Sequence, residues 1–284
     1  MLNTQRFKVI KKLGSYLLLI ISILIISEFT VALSDNVSAH NADFVFVEEP
    51  SLPPPAPYIK FNHIIAEDGL DDSHVKVLLQ TADGYIWVAT QSSLHRFDGY
   101  SFKQYTNDSE DETTISSGLF KDLEEDHSGN IWIASDFGLN MFDKNSDSFI
   151  HYVHDENDPE SISGNVITSI FCDSQGVLWV STSNSGLNSF SPEEGIFTHY
   201  RHSSETPGSI SSDHVVSVIE DNEGNIWVGT NGGGLNKFDK NTGVFTSFTN
   251  DPGDPSSIGS DLIRTLFLDQ DNNIWIGTYD KGLL

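Results

Sequence analysis

The stretch DNEGNIWVGTNGGGLNKFD, Asp221–Asp239, holds a short apolar run between two turn signals. Asp221 and Gly224 mark the first turn, where a carboxylate bonds its own backbone and glycine takes positive φ freely. Asn231–Gly234 marks the second. The same local sentence surrounds every tryptophan of the chain: GYIWVAT at Trp87, GNIWIAS at Trp132, GVLWVST at Trp179, GNIWVGT at Trp227 and NNIWIGT at Trp275. The spacings are 45, 47, 48 and 48 residues.

Other positions keep register with these tryptophans. Six residues earlier stand Thr81, Asp126, Asp173, Asp221 and Asp269; seventeen earlier stand Leu70, Ile115, Ile162, Ile210 and Ile258. A leucine follows each Trp by seven or eight residues, and an aromatic pair such as Phe197 with Tyr200 closes each unit before the last. So many fixed offsets define an internal repeat. In the third unit the pattern predicts strands at Val166–Cys172, Val177–Thr182, Leu187–Ser191 and Ile196–Arg201. Four antiparallel strands per repeat is the unit of a β-propeller blade. Leu178 and Val180 point to one face and Trp179 to the other, yet both faces are apolar. A blade packed between two neighbours accounts for that, with Trp87, Trp132, Trp179, Trp227 and Trp275 as the structural core between blades rather than ligand-stacking groups.

The fold class expected is therefore all-β, a propeller of about five four-stranded blades in an incomplete ring, preceded by an N-terminal signal or anchor helix. Tyr58–Phe61 resembles a lone fourth strand, able to complete a blade begun elsewhere. The fifth unit stops in its third strand at Leu284. Three segments follow: 1–39, a signal peptide or membrane anchor; 40–57, a Pro-rich linker containing PSLPPPAP; and 58–284, the repeats. Residues 1–12 are basic, 13–27 are apolar, and small residues at Val37 and Ala39 favour cleavage after Ala39. An uncleaved span from Leu13 to Leu33 would include Glu28, which is costly in a bilayer. Either reading places the repeats outside the cytoplasm.

Charge narrows the function. The chain has 284 residues with 15 Lys plus Arg against 41 Asp plus Glu, a formal charge of −26. Four of the basic residues lie in the first twelve positions. Such a surface repels phosphates, so no nucleic-acid partner is expected. One cysteine, Cys172, excludes an internal disulfide and any Cys-rich metal site.

The repeat sentence D-x-x-G-N-[IL]-W-[VI]-G-T-x-x-G-G-L-N-x-[FY]-D resembles the two-component regulator propeller repeat, and the opening FNHIIAEDGLDDSHVKVLLQTADGYIWVAT resembles the first repeat of such sensor regions. The resemblance covers about residues 58–284. It implies the periplasmic sensor region of a hybrid two-component sensor or a propeller-containing diguanylate cyclase, here an N-terminal fragment without its kinase or cyclase output, and a possible homodimer in the full-length receptor. Three departures stand out: Ser93 replaces the Gly before Leu94, Asn272 replaces a turn Gly, and Leu284 stands where Asn should follow Leu283.

No nucleophile, phosphate-loop or metalloprotease motif occurs. No catalytic residue, cofactor or metal is expected in this chain. His151 with His154 and His199 with His202 are read as exposed strand-end histidines, not metal ligands. The acidic turns are read as turn formers, not calcium loops. Cys172 is read as a packed thiol. Ligand contact should come from positions that vary within a fixed frame, the loops between strands two and three. Gln91, Asp136, Phe137, Asn184, Asn231, Tyr279 and Asp280 are the candidates. Their amides, carboxylates and aromatics suit a small polyol or an oligosaccharide. The function expected is extracytoplasmic ligand sensing within a signal-transduction receptor. The inner membrane is a partner if the N-terminus stays uncleaved. The alternatives are a stand-alone periplasmic binding or scaffold propeller, or a lyase or glycosidase using Asp136 and Asp280.

Overall fold

A computed structural model describes residues 62–192 and 194–284. The expected signal or anchor, the linker and the strand at Tyr58–Phe61 lie outside the described residues. After a 3-10 turn at Ala66–Asp68, the chain forms five consecutive antiparallel sheets. Blade one is β1 (Val77–Gln80), β2 (Ile86–Ala89), β3 (Leu94–Phe97) and β4 (Phe102–Tyr105). Blade two is β5 (Phe120–Glu125), β6 (Ile131–Ser135), β7 (Gly138–Asp143) and β8 (Ser148–Tyr152). Blade three is β9 (Ile167–Cys172), β10 (Leu178–Thr182), β11 (Leu187–Ser191) and β12 (Ile196–Tyr200). Blade four is β13 (Val215–Glu220), β14 (Ile226–Thr230), β15 (Gly234–Asp239) and β16 (Val244–Phe248). The fifth sheet pairs only β17 (Ile263–Leu268) with β18 (Ile274–Thr278), and a single bridge, Gly277 with Leu283, starts its third strand.

Each complete blade pairs its strands in chain order. The first strands of successive blades lie side by side and exchange bonds across the seam. Asp122 accepts from the Ile170 N–H at 3.0 Å, Glu124 from the Cys172 N–H at 3.0 Å, and Ser217 from the Leu266 N–H at 3.2 Å. In blades two to five the first strand carries a β-bulge whose extra residue is Lys121, Thr168, Val216 or Arg264.

The core sits between blades. Trp87 packs edge-on against Phe142 of the next blade, Trp132 against Phe190 and Trp179 against Phe238, at centroid distances of 4.9–5.6 Å. Burying each such ring contributes about 2–3 kcal/mol. Ile115, Ile162 and Ile210 plug the seams and are fully buried, as their offset predicted; Ile258 is half-buried. The tryptophan at the end of the series departs from expectation. Trp132 is buried, Trp227 is half-buried, and Trp275 is 43% exposed. Trp275 is therefore not part of the core here: its ring faces the side on which no sixth sheet is described.

The turn aspartates do more than form turns. Asp126, Asp173, Asp221 and Asp269 each accept two turn amides, and each also accepts the indole Nε1–H of its own blade's Trp at 2.8–3.0 Å. The repeated D-x-x-G-N-x-W spacing thus ties a turn to the core ring beside it. In the fifth repeat Asn272 adopts φ 65°, the left-handed conformation that Gly129, Gly176 and Gly224 hold at the same place, which asparagine tolerates better than most residues.

Candidate functional site

The loops between second and third strands lie at the end of each blade where the chain arrives from the blade before. One bond recurs there. The first loop residue donates its N–H to the carbonyl just ahead of strand one: Asp136 to Leu119, Ser183 to Val166, Asn231 to His214 and Tyr279 to Leu262, at 2.9–3.3 Å. These loops also reach the next blade's entry, where the Gly186 N–H meets the Asp213 carbonyl and those of Gly232 and Gly234 meet the Asp261 carbonyl. The glycine that ends the loop is needed: Gly186 and Gly234 sit at φ 80° and 72°, and a Cβ there would strike the strand-four carbonyls of Tyr200 and Phe248.

A buried amide supports the same end of blades two to four. Asn140, Asn188 and Asn236 are fully buried; each Oδ1 accepts a loop N–H, from Ser116, Ser163 and Ser211 respectively, at 2.9–3.0 Å. Histidines hold the same incoming loops. His151 and His199 donate Nε2–H to the carbonyls of Thr114 and Ser161; His154 and His202 donate Nδ1–H to those of Ile162 and Ile210, at 2.7–2.8 Å. A carbonyl only accepts, so the ring nitrogen carries the proton. Of these histidines, expected to be exposed at strand ends, His202 is exposed and the other three are half-buried, and all four clamp loops.

Blade one substitutes at both ends of its clamp. His95 replaces the asparagine and Asp71 replaces the serine. His95 is fully buried with Nε2 3.1 Å from Asp71 Oδ1, close but not aligned for a hydrogen bond. Burial pulls the imidazole below its usual pKa, against the pull of Asp71. Asp71 also accepts the Ser93 hydroxyl at 2.7 Å and the Gln104 amide at 2.7 Å. Ser93 thus anchors the loop where the other complete blades use glycine.

The seven candidate side chains divide by environment. Gln91, Asn184, Phe137 and Tyr279 are exposed, the two aromatics at 57% and 73%. Asp136 Oδ1 accepts the Leu119 N–H at 2.7 Å, and Asp280 Oδ1 accepts the Ser260 hydroxyl at 2.5 Å. Asn231 Nδ2 lies 3.5 Å from His214 Nδ1. All occupy the same end of their blades, and none bonds another of the seven. Phe137 also borders a groove of about 610 Å³ with Asn107, Thr114, Ile150, His151 and Val153. A larger groove, about 1020 Å³, lies at the opposite end of blades three and four. Lys240 lines it and is satisfied there, 3.0 Å from Asp173 and 2.9 Å from Glu220. That groove holds none of the candidates, and its central cation stitches a seam.

Serial four-stranded sheets with adjoining first strands and loops gathered at one end define a β-propeller array. Four of its repeats match the two component regulator propeller model, at residues 69–92, 161–184, 209–232 and 257–280. The second repeat escapes the match yet forms a complete blade. Over 84 residues the chain is 37% identical to histidine kinase P4 of Formosa agariphila, which is 30% of this chain and 5% of that one. The solved extracellular domain of the one component system BT4673 of B. thetaiotaomicron is 24% identical, with TM-score 0.63 over 78% of this chain and 31% of that one. Virginiamycin B lyase of Staphylococcus aureus is 16% identical, with TM-score 0.55 over 73% of this chain and 64% of that one. These two structures share the fold. The chain spans a minor part of the kinase and of the extracellular domain.

Proposed function

We propose that residues 58–284 are the extracytoplasmic ligand-sensing propeller of a bacterial signal-transduction receptor, of the sensor-kinase or diguanylate-cyclase type, whose output module lies outside this chain. The carrying observation is the repeat itself, shared with a regulator family and, over 84 residues, with a histidine kinase. The fold supports a sensing role physically. Loops of differing sequence sit on a constant frame of asparagine and histidine clamps, at an end where each loop touches the next blade's entry. A ligand bridging two blades there changes seam geometry, and seams transmit it because blades contact only their neighbours.

Catalysis by this chain is not part of the proposal. Asp136 and Asp280 belong to the second and fifth sheets, and each already accepts a bond within its own blade. The test is twofold. Alkaline phosphatase fused after Leu284 is active only outside the cytoplasm, so an inactive fusion in a normally expressed chain overturns the location. A thermal-shift screen of the full chain against neutral and charged saccharides should yield at least one stabilising ligand. Its effect should fall when Asn184 and Asn231 are replaced by alanine.

A further inference from the structure

Ten lysines and arginines lie among the described residues of this acidic chain. Six have visible employment. Arg96 and Lys103 pair with Asp147, Lys144 with Asp83, and Lys240 with Asp173 and Glu220. Arg201 donates to the Ser163 carbonyl, and Lys237 lies over the Trp227 ring. The remaining four, Lys76, Lys121, Arg264 and Lys281, are exposed and form no ion pair or side-chain hydrogen bond among the described residues.

These four lie at the same end of their blades, the first, second and fifth. Lys76, Lys121 and Arg264 stand at the same repeat position, eleven residues before the tryptophans of blades one, two and five. Lys121 and Arg264 are the extra residues of the bulges, and Lys76 directly precedes β1. A bulge re-aims a side chain, and Thr168 shows the direction at this position. Its hydroxyl reaches the Val215 carbonyl on the first strand of the next blade, at 2.6 Å. Lys281 lies in the loop after β18, beside Tyr279 and Asp280. All four therefore lie where first strands begin or candidate loops turn. The nearby carboxylates are engaged: Asp72, Asp136, Asp213 and Asp261 each accept a backbone N–H, and Asp280 accepts a hydroxyl. In a chain so rich in acid, leaving four cations unpaired at one end of the blades is a charge arrangement that a ligand completes.

We infer that Lys76, Lys121, Arg264 and Lys281 form an oxyanion-binding rim at the inner edge of the loop face, and that the ligand is a polyhydroxylated anion carrying carboxylate or sulfate groups. The inference rests on the sensing reading and adds the sign of the ligand's charge.

Isothermal titration of the full chain tests it with three probes of similar size: trigalacturonate, a sulfated trisaccharide and neutral maltotriose. The expected result is binding of at least one anionic probe, weakened by salt, with no comparable binding of maltotriose. Lys121→Gln and Arg264→Gln should each weaken that binding roughly tenfold or more. Lys103→Gln, a paired cation on β4, should leave it unchanged. The two acids distinguish carboxylate from sulfate. Unchanged affinity in both rim variants, with melting temperatures intact, overturns the rim. Binding of maltotriose as tight as the anions overturns the charge inference and leaves the sensing proposal standing. Binding of neither anion overturns the rim, while the neutral screen decides the sensing proposal separately.

Discussion

Asp173 shows how much one side chain can hold at a seam. Its side chain is fully buried, accepts two turn amides and the Trp179 indole N–H, and meets Lys240 from the next blade. Burial raises a carboxyl's pKa, but here Trp179 and Lys240 outweigh it and the group stays below its usual value. Asp173→Ala should lower stability by about 2–4 kcal/mol in urea unfolding, because it strands the Trp179 indole N–H and two turn amides and leaves Lys240 only Glu220 as a partner. Asp269 has the same local bonds, led by that from Asn273, and is held at about 2. It is half-buried rather than fully buried and pairs with no lysine among the described residues, so Asp269→Ala should cost far less. His95 responds to pH in the same direction as these carboxylates, but in a higher window. Its folded pKa lies below 6.5, so the folded chain resists protonation; its contribution is complete above about pH 6.5 and is lost as pH falls below that value. The paired variant Asp71→Ser with His95→Asn restores the clamp of the other blades. It should flatten the melting temperature between pH 6.5 and 5 relative to the parent chain.

At the level of strands and loops, stability should follow position along the array. Trp132→Ala should cost about 3–5 kcal/mol, and Trp275→Ala less than about 1 kcal/mol, by denaturant midpoint. Equal losses would mean that the fifth sheet is covered in solution. The strands were legible in the sequence because turn residues and apolar runs recur. Those of the third unit, β9 to β12, agree with the sequence reading to within one residue. The loop face was legible for the same reason, since chain order alone places second-to-third loops beside blade entries. Other features were not. The indole bond to the turn aspartate needs the three-dimensional fold of the turn over the ring. The histidine clamps reach 37–38 residues back along the chain for His151 and His199, beyond any local pattern. The exchange of Asn and Ser for His95 and Asp71 becomes visible as a unit only when the two positions are seen in contact. The exposure of Trp275 depends on what lies beside a blade, and no offset within the repeat encodes that.

Among the described residues, the first and fifth sheets each present a bare face. Leu123, Ile170, Val218 and Leu266 are 4–6% exposed against the preceding blade, whereas their counterpart in blade one, Leu78, is 64% exposed. At the other end Phe267 and Trp275 are 63% and 43% exposed. One face is built to receive a preceding blade and the other to receive a following one. The 284-residue chain should therefore associate head to tail, an open heterologous contact, with mass rising with concentration in sedimentation equilibrium. Leu78→Lys combined with Phe267→Lys should return it to a monomer, and a concentration-independent parent mass would refute the expectation. The graded burial of the five indoles has an optical consequence as well. Acrylamide should quench the emission of Trp275 far more readily than that of the four earlier tryptophans. The quenchable fraction of the fluorescence then reports whether anything has docked on the fifth sheet, with no dye attached and no residue changed.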